Sequence, residues 1–163
     1  MAEQQEASKD AVMTRIGQAI MLLHGGDREE ARNRFGALWA EIGEDGDALH
    51  RCTLAHYMAD TQDDPGDELA WDLRALTAAE GLTDERADKH RDTLAVRAFS
   101  PLLHLSLAAD YAKLQRPDAA WIHLHRARQA SDVLADDGTD DGYGGGVRAA
   151  IGRLERRLWD QWP

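Results

Sequence analysis

The sequence predicts an all-α fold of about seven helices, arranged as antiparallel hairpins. Ala, Leu, Arg and Glu are abundant among the 163 residues and β-branched residues are few, a composition that favours helices. Apolar residues recur three and four positions apart through most of the chain, which places them on one face of a helix. Glycine, proline and aspartate interrupt this pattern at intervals, as they do where helices begin and end.

The first hairpin is predicted over residues 9–43, after a polar stretch, residues 1–8, that we expect to be disordered. Its first helix carries apolar residues over more than half of its surface. We expect it to end at Gly25 and Gly26, because glycine is common at helix C-termini. Asp27 is placed to cap the second helix, and the glutamates of the next turn suit the positive end of its dipole.

The second hairpin is predicted over residues 47–80. Asp47 stands where a cap is needed for its first helix. An acidic segment, residues 60–67, forms the turn, and it is longer than the turns of the other two hairpins. The apolar stripe of the second helix consists of Leu69, Ala70, Leu73 and Leu76.

The third hairpin is predicted over residues 84–134. Leu94, Ala98 and Leu102 keep helical spacing across Pro101, so we predict one continuous helix with a kink at the proline. A tight turn at residues 115–118 then leads into the partner helix. An acidic, glycine-rich loop follows over residues 135–146, and a last helix is predicted over residues 147–160.

Two sets of residues in the third hairpin form a recognisable pattern. Leu107, Ala108 and Tyr111 stand at i, i+1 and i+4, and they are followed by Ala120, Leu124 and Ala127. This order resembles a tetratricopeptide (TPR) repeat, and Ala19 and Ala31 repeat its twelve-residue gap in the first hairpin. The resemblance implies a single TPR-like domain over residues 9–163. It would form a right-handed superhelix closed by the C-terminal helix as a cap, with a protein-binding function.

In TPR arrays the first helices of successive hairpins line a concave, partner-binding surface. Carried over to this sequence, the resemblance implies a largely apolar groove for an amphipathic helix or peptide. Exposed apolar surface is unfavourable by ~25 cal/mol per Å², so we expect a partner, a second copy of the chain or the C-terminal helix to cover it. The implied lining residues are Met13, Ile16, Ile20, Leu23 and His24, then Leu49, Cys52 and His56, then Leu102, Leu105, Ala109 and Lys113.

Charge and composition narrow the classes of partner. The net charge of −11 would repel a phosphate backbone, so nucleic acid is not expected as a partner. One cysteine fits a reducing compartment, and no signal-like or membrane-spanning apolar run is present, so we expect a cytoplasmic protein that does not bind membranes. Trp159 and Trp162 at the chain end, or the charged segment 84–97, are candidate contacts for a homodimer.

Reactive side chains give weaker signals, and we predict no catalytic residue, metal or cofactor. His104 is predicted to approach His123 or His125 across the third hairpin, which leaves open a metal-binding protein or enzyme as the alternative. Cys52 has His56 one helical turn away but lacks an oxyanion donor. Residues 137–142 resemble part of a calcium loop but lack its final glutamate. A sensor that holds a small apolar molecule in the groove is the third possibility.

Overall fold

The computed structural model describes residues 2–83, 90–136 and 143–163 and contains seven α-helices. These ranges contain no β-strand, so the predicted all-α fold of about seven helices is confirmed. Segment 84–89 and residues 137–142 of the predicted acidic loop lie outside the described residues. The helices are α1 (Ala2–His24), α2 (Arg28–Ile42), α3 (Ala48–Ala59), α4 (Pro65–Thr83), α5 (His90–Lys113), α6 (Pro117–Asp136) and α7 (Tyr143–Gln161).

The chain folds as two compact units, residues 1–81 and residues 82–163. Unit 1 contains α1 to α3 and nearly all of α4, and unit 2 contains α5 to α7. In unit 1, α3 packs against both helices of the α1–α2 hairpin. In unit 2, α7 packs against both helices of the α5–α6 hairpin. Each unit therefore places a third helix on a helical hairpin, a packing compatible with a helical-repeat fold.

Two helices are longer than predicted at their N-termini. α1 begins at Ala2 and not near Lys9, because Ala, Glu and Gln are good helix formers that extend a helix already nucleated downstream. α7 begins at Tyr143, four residues before the predicted start at Val147. Glycine is unfavourable in a helix by about 1 kcal/mol per residue, so the packing of the rest of α7, not its first turn, accounts for the stability of this helix.

The α1–α2 turn closes on a glycine, as predicted. Gly26 adopts a φ of 94°, in the left-handed region where glycine avoids the steric cost of a side chain. The backbone N–H of Asp27 donates to the carbonyl of Leu22 (2.9 Å), and that of Gly26 donates to Leu23 (3.1 Å). This pair of bonds is the Schellman arrangement, and the Asp27 carboxylate then caps α2 by accepting from the N–H of Glu30.

The α5–α6 turn has the same hydrogen bonds with a different residue at its centre. Gln115 adopts a φ of 60°, its N–H donates to Ala112 (3.1 Å), and the N–H of Arg116 donates to Tyr111 (2.9 Å). In both hairpins the left-handed residue follows the first repeat alanine by seven positions and precedes the second by five. The two hairpins therefore have the same spacing between these alanines and the left-handed residue of the turn.

The core of unit 1 lies among α1, α2 and α3. Ala19 and Ala31, the predicted contact pair, are fully buried in one cluster. Removing side-chain bulk at these two points allows neighbouring helices to approach closely. Asp47 caps α3 as predicted, with its carboxylate accepting from the N–H groups of Leu49 and His50. The other buried members of the cluster are Ile16, Phe35, Leu38, Leu54 and Met58.

The α3–α4 turn is fastened to the start of α2 by Arg28. Its guanidinium donates to the Asp63 carboxylate (2.7 Å) and to the backbone carbonyls of Gln62 (2.7 Å) and Asp60 (3.3 Å). The acidic α3–α4 turn is the longest of the three hairpin turns, and the exposed Arg28 holds it to the start of α2.

The core of unit 2 is built by all three of its helices. α5 runs through Pro101 without interruption, as predicted from the spacing on either side of the proline. Ala108 and Ala120 are fully buried in one cluster, as the repeat pattern predicts. α7 supplies its apolar stripe to the same cluster, so this helix completes the core of the unit. The buried members from α7 are Val147, Ile151, Leu154 and Leu158.

Candidate functional site

Three of the predicted groove residues are buried, which contradicts their assignment to an open lining. Ile16 and Cys52 have no exposed surface, and His56 is 5% exposed. Ile16 belongs to the core cluster of unit 1. For Ile16 the reason is that α1 is apolar over more than half of its surface, so its apolar pattern does not identify the open side. Cys52 and His56 lie on α3, which packs against both α1 and α2.

The remaining lining residues divide between core-edge positions and solvent. Five of them are half-buried against a core: Met13, Ile20 and Leu23 in unit 1, and Leu105 and Ala109 in unit 2. Leu49 and Leu102 are also half-buried, whereas His24 and Lys113 are exposed. In unit 2 the core that Leu105 and Ala109 contact includes the apolar stripe of α7. The C-terminal helix therefore contributes to the core against which this part of the predicted lining packs.

The predicted approach of His104 to a histidine of α6 occurs, and the partner is His123. Their Nδ1 atoms lie 3.1 Å apart, and His125 is exposed on another side of α6. The ring centroids are 5.4 Å apart and the planes differ by 20°. The distance between the ring centroids exceeds the Nδ1–Nδ1 distance by about twice the distance from an imidazole centroid to a ring atom. The two Nδ1 atoms therefore lie on the line between the centroids and point at one another. One of the two Nδ1 atoms is protonated, and its N–H donates a hydrogen bond to the other Nδ1.

Burial keeps this histidine pair neutral. Desolvation, with smaller effects from His123 and Arg126, lowers the pKa of His104 to about 4. Desolvation and Arg126 also lower the pKa of His123, whose ring stacks on Tyr111 with centroids 5.5 Å apart. Both imidazoles are therefore uncharged near pH 7, and each satisfies the Nδ1 of the other.

The same geometry does not favour a metal site. Two imidazoles that share a tetrahedral ion direct their lone pairs to a common point beside the line between the nitrogens. Here the lone pairs point along that line, and an ion between them would need about 4 Å between the nitrogens. Within unit 2, the described side chains bring no third histidine, cysteine or carboxylate into a metal-sized cluster with this pair.

Cys52 is not an activated nucleophile. Burial raises the pKa of its thiol to about 12, so the reactive thiolate is not populated near neutral pH. His56 lies one turn further along α3, and its Nδ1 is 3.6 Å from a carboxylate oxygen of Asp72 on α4. The sequence did not identify Asp72 as a partner of His56, because an acidic residue within an apolar stripe indicates a partner only when the position of the neighbouring helix is known. All three side chains are buried, which withholds them from a substrate.

The surface formed by α6 and α7 differs from the buried histidine and cysteine positions because it carries exposed aromatic and basic side chains. The rings of Trp121 and Trp159 meet edge to face with centroids 5.4 Å apart, yet Trp159 remains 57% exposed. Trp162 is half-buried at the edge of the core. Opposite the buried stripe, α7 presents three exposed arginines, Arg153, Arg156 and Arg157. We call these three arginines and Trp159 the outer face of α7.

Comparison with known proteins gives no family for this chain: no family description, curated protein or solved structure matches it. None of the helices in the described ranges is long and apolar enough to cross a lipid bilayer.

Proposed function

We propose that the protein is a non-enzymatic protein-interaction module with TPR-like architecture, an adaptor or regulatory subunit. Two features support this proposal: the first and third hairpins share the spacing between their alanines and their turn, and each receives a further helix on both of its members. A cytoplasmic location belongs to the same proposal, since the lone Cys52 is a buried free thiol.

The observation that carries the proposal is that α7 has one side in the core and exposed aromatic and basic residues on the other. Its apolar stripe is buried in its own unit, so the other side of the helix lies outside the core, apart from the contact of Trp159 with Trp121. That side presents an exposed tryptophan beside arginines, and Trp and Arg are the residue types most enriched where proteins bind one another. Ten of the twelve groove residues implied by the repeat resemblance are buried or half-buried, so we place the main partner contact on the outer face of α7.

Affinity purification of the tagged full chain from its source cells tests the proposal. We expect a partner protein at near-stoichiometric yield, and we expect Trp159→Ala to reduce that yield while His125→Ala, a change elsewhere on α6, leaves it unchanged. Isolation of the chain without any partner, together with a stoichiometric metal in elemental analysis, would instead support a metal-binding protein. The opposed Nδ1 atoms of His104 and His123 argue against that alternative.

A further inference from the structure

The outer face of α7 concentrates positive charge in an acidic protein. Arg153, Arg156 and Arg157 fall within little more than one helical turn, at spacings where like charges are neighbours and repel. The net charge of the chain is −11. The charge of this cluster is therefore opposite in sign to the net charge of the chain.

These three arginines form no ion pair among the described residues. The helix has two carboxylates of its own, and Glu155 is already paired with Arg128 of α6. Asp160 is the other, and it also forms no ion pair in the described part of the chain. Several arginines elsewhere are engaged: Arg15 with Glu41, Arg28 with Asp63, Arg34 with Glu30, and Arg51 and Arg74 over the rings of Trp39 and Trp71. Among the described residues Arg32, Arg116 and Arg126 also form no ion pair, but they do not form a cluster of three on one helix.

The three arginines lie outside the core of unit 2. The stripe that holds α7 in its unit lies on the other side of the helix, and Trp159 keeps more than half of its surface in water although it touches Trp121. Arg156 lies one helical turn before the exposed Trp159, and Arg153 and Arg157 lie one turn from each other on the same helix. Arginine and tryptophan together have the composition of an interface centre. Their fork-shaped guanidinium groups match carboxylates in two-point contact.

We propose that the outer face of α7 binds an acidic amphipathic helix of a partner protein. In this complex, glutamates or aspartates of the partner pair with Arg153, Arg156 and Arg157, and an apolar side chain covers Trp159. The inference rests on the proposed function and adds the site and the chemistry of the partner. Charge complementarity selects an acidic partner. The net charge of −11 selects a short acidic segment over a long polyanion such as nucleic acid, which the rest of the surface would repel.

The test measures binding of a fluorescently labelled synthetic helix that carries glutamates on one side and leucines beside them. A single-stranded oligonucleotide serves as the second probe, and fluorescence anisotropy with the full chain gives both affinities. We expect the peptide to bind, the oligonucleotide to bind more weakly, and the peptide affinity to fall with added salt because exposed charges are screened.

Variants locate the site. Replacing Arg153, Arg156 and Arg157 together by Gln should weaken peptide binding about tenfold, and Trp159→Ala should weaken it without any change in charge. The control replaces Arg32, Arg34 and Arg116 by Gln, which removes the same charge elsewhere and should change affinity by less than about twofold. Circular dichroism confirms that each variant remains helical.

Three results would overturn the inference: no peptide binding, equal losses in the two triple variants, or tighter binding of the oligonucleotide than of the peptide. Each of these leaves the proposed function standing if purification from cells still yields a stoichiometric protein partner. Failure of that purification would instead overturn the proposed function itself, so the two failures are distinguishable.

Discussion

Acidification from pH 7 to pH 5 should weaken unit 2 through His104. In the folded chain the pKa of His104 is lowered to about 4 from an ordinary value of 6.5, mainly because the ring is desolvated. Between these values the unfolded chain binds a proton that the folded chain does not. The stabilisation is therefore complete above about pH 6.5 and is lost as the pH falls towards 4.

The size of the effect follows from the two pKa values. At pH 5 the unfolded state gains about 2 kcal/mol from protonation that the folded state lacks. The side chain of His104 is only half-buried, and solvent screening reduces the expected loss to about 1 kcal/mol. The pKa of His123 is lowered for the same main reason, desolvation, so its contribution has the same sign.

Urea denaturation of the wild type and of His104→Gln at both pH values measures this loss. Many carboxylates also titrate in this range, but their contribution is common to the two proteins and cancels in the difference. We expect the stability of the wild type to fall by about 1 kcal/mol more than that of the variant between pH 7 and pH 5. His125→Gln is the matched control, because His125 lies on the same helix and is exposed.

Nuclear magnetic resonance of the ring protons supplies a direct measurement on the folded chain. The reasoning fails if His104 titrates near pH 6.5, or if His104→Gln has the same pH dependence of stability as the wild type. Either result would mean that the ring is hydrated in solution and that its hydrogen bond to His123 is not kept.

Four further predictions concern individual side chains. Cys52 should resist a thiol reagent near pH 8 until the chain is unfolded by urea, because burial raises its pKa to about 12; rapid reaction of the folded chain would contradict this. Arg28→Ala should cost about 1 kcal/mol in urea denaturation because it frees the α3–α4 turn, whereas Arg34→Ala removes one surface pair and should cost about 0.5 kcal/mol or less. Ile151→Ala should cost about 2 to 5 kcal/mol, since the side chain is 1% exposed in the core of unit 2; a loss below about 1 kcal/mol would mean that α7 is not a structural cover. Gln115→Gly should raise the thermal midpoint, because it relieves about 1 kcal/mol of left-handed strain; a lower midpoint would show that the side chain is needed there.

Local signals predicted the helices and most of their ends. The glycine at position 26 and the aspartates at positions 27 and 47 act through hydrogen bonds to backbone groups a few residues away, so the sequence alone contains their whole effect. Continuity of α5 through Pro101 was predictable for the same reason. The approach of His104 to a histidine of α6 was also predictable, because the two helices of an antiparallel hairpin lie side by side. The spacing alone left open whether the partner is His123 or His125, which are two residues apart on different sides of α6.

The burial of three of the predicted groove residues was not predictable, and the reason is physical. Periodicity shows which faces of a helix are apolar, but it does not show which neighbour covers each face. α1 has apolar residues on more than one face, and Ile16 was assigned to the open side although it is fully buried in the core of unit 1. The contact of His56 with Asp72 was missed because it depends on the placement of a helix across a long, irregular turn.

Within each unit the third helix is the basis of our proposal for where a partner binds. A two-helix hairpin alone leaves one apolar side exposed to water, which is unfavourable. In unit 1 α3 packs against both helices of the hairpin, and in unit 2 α7 does the same. Under the proposed function, recognition of a partner would then depend on exposed side chains outside these cores. Substitutions at Ile151 should therefore change stability, whereas substitutions of Arg153, Arg156 or Arg157 should change binding at nearly constant stability. If the arginine substitutions instead destabilised the fold, their exposure would have another cause, and the division between a buried stripe and an outer binding face would not hold for this helix.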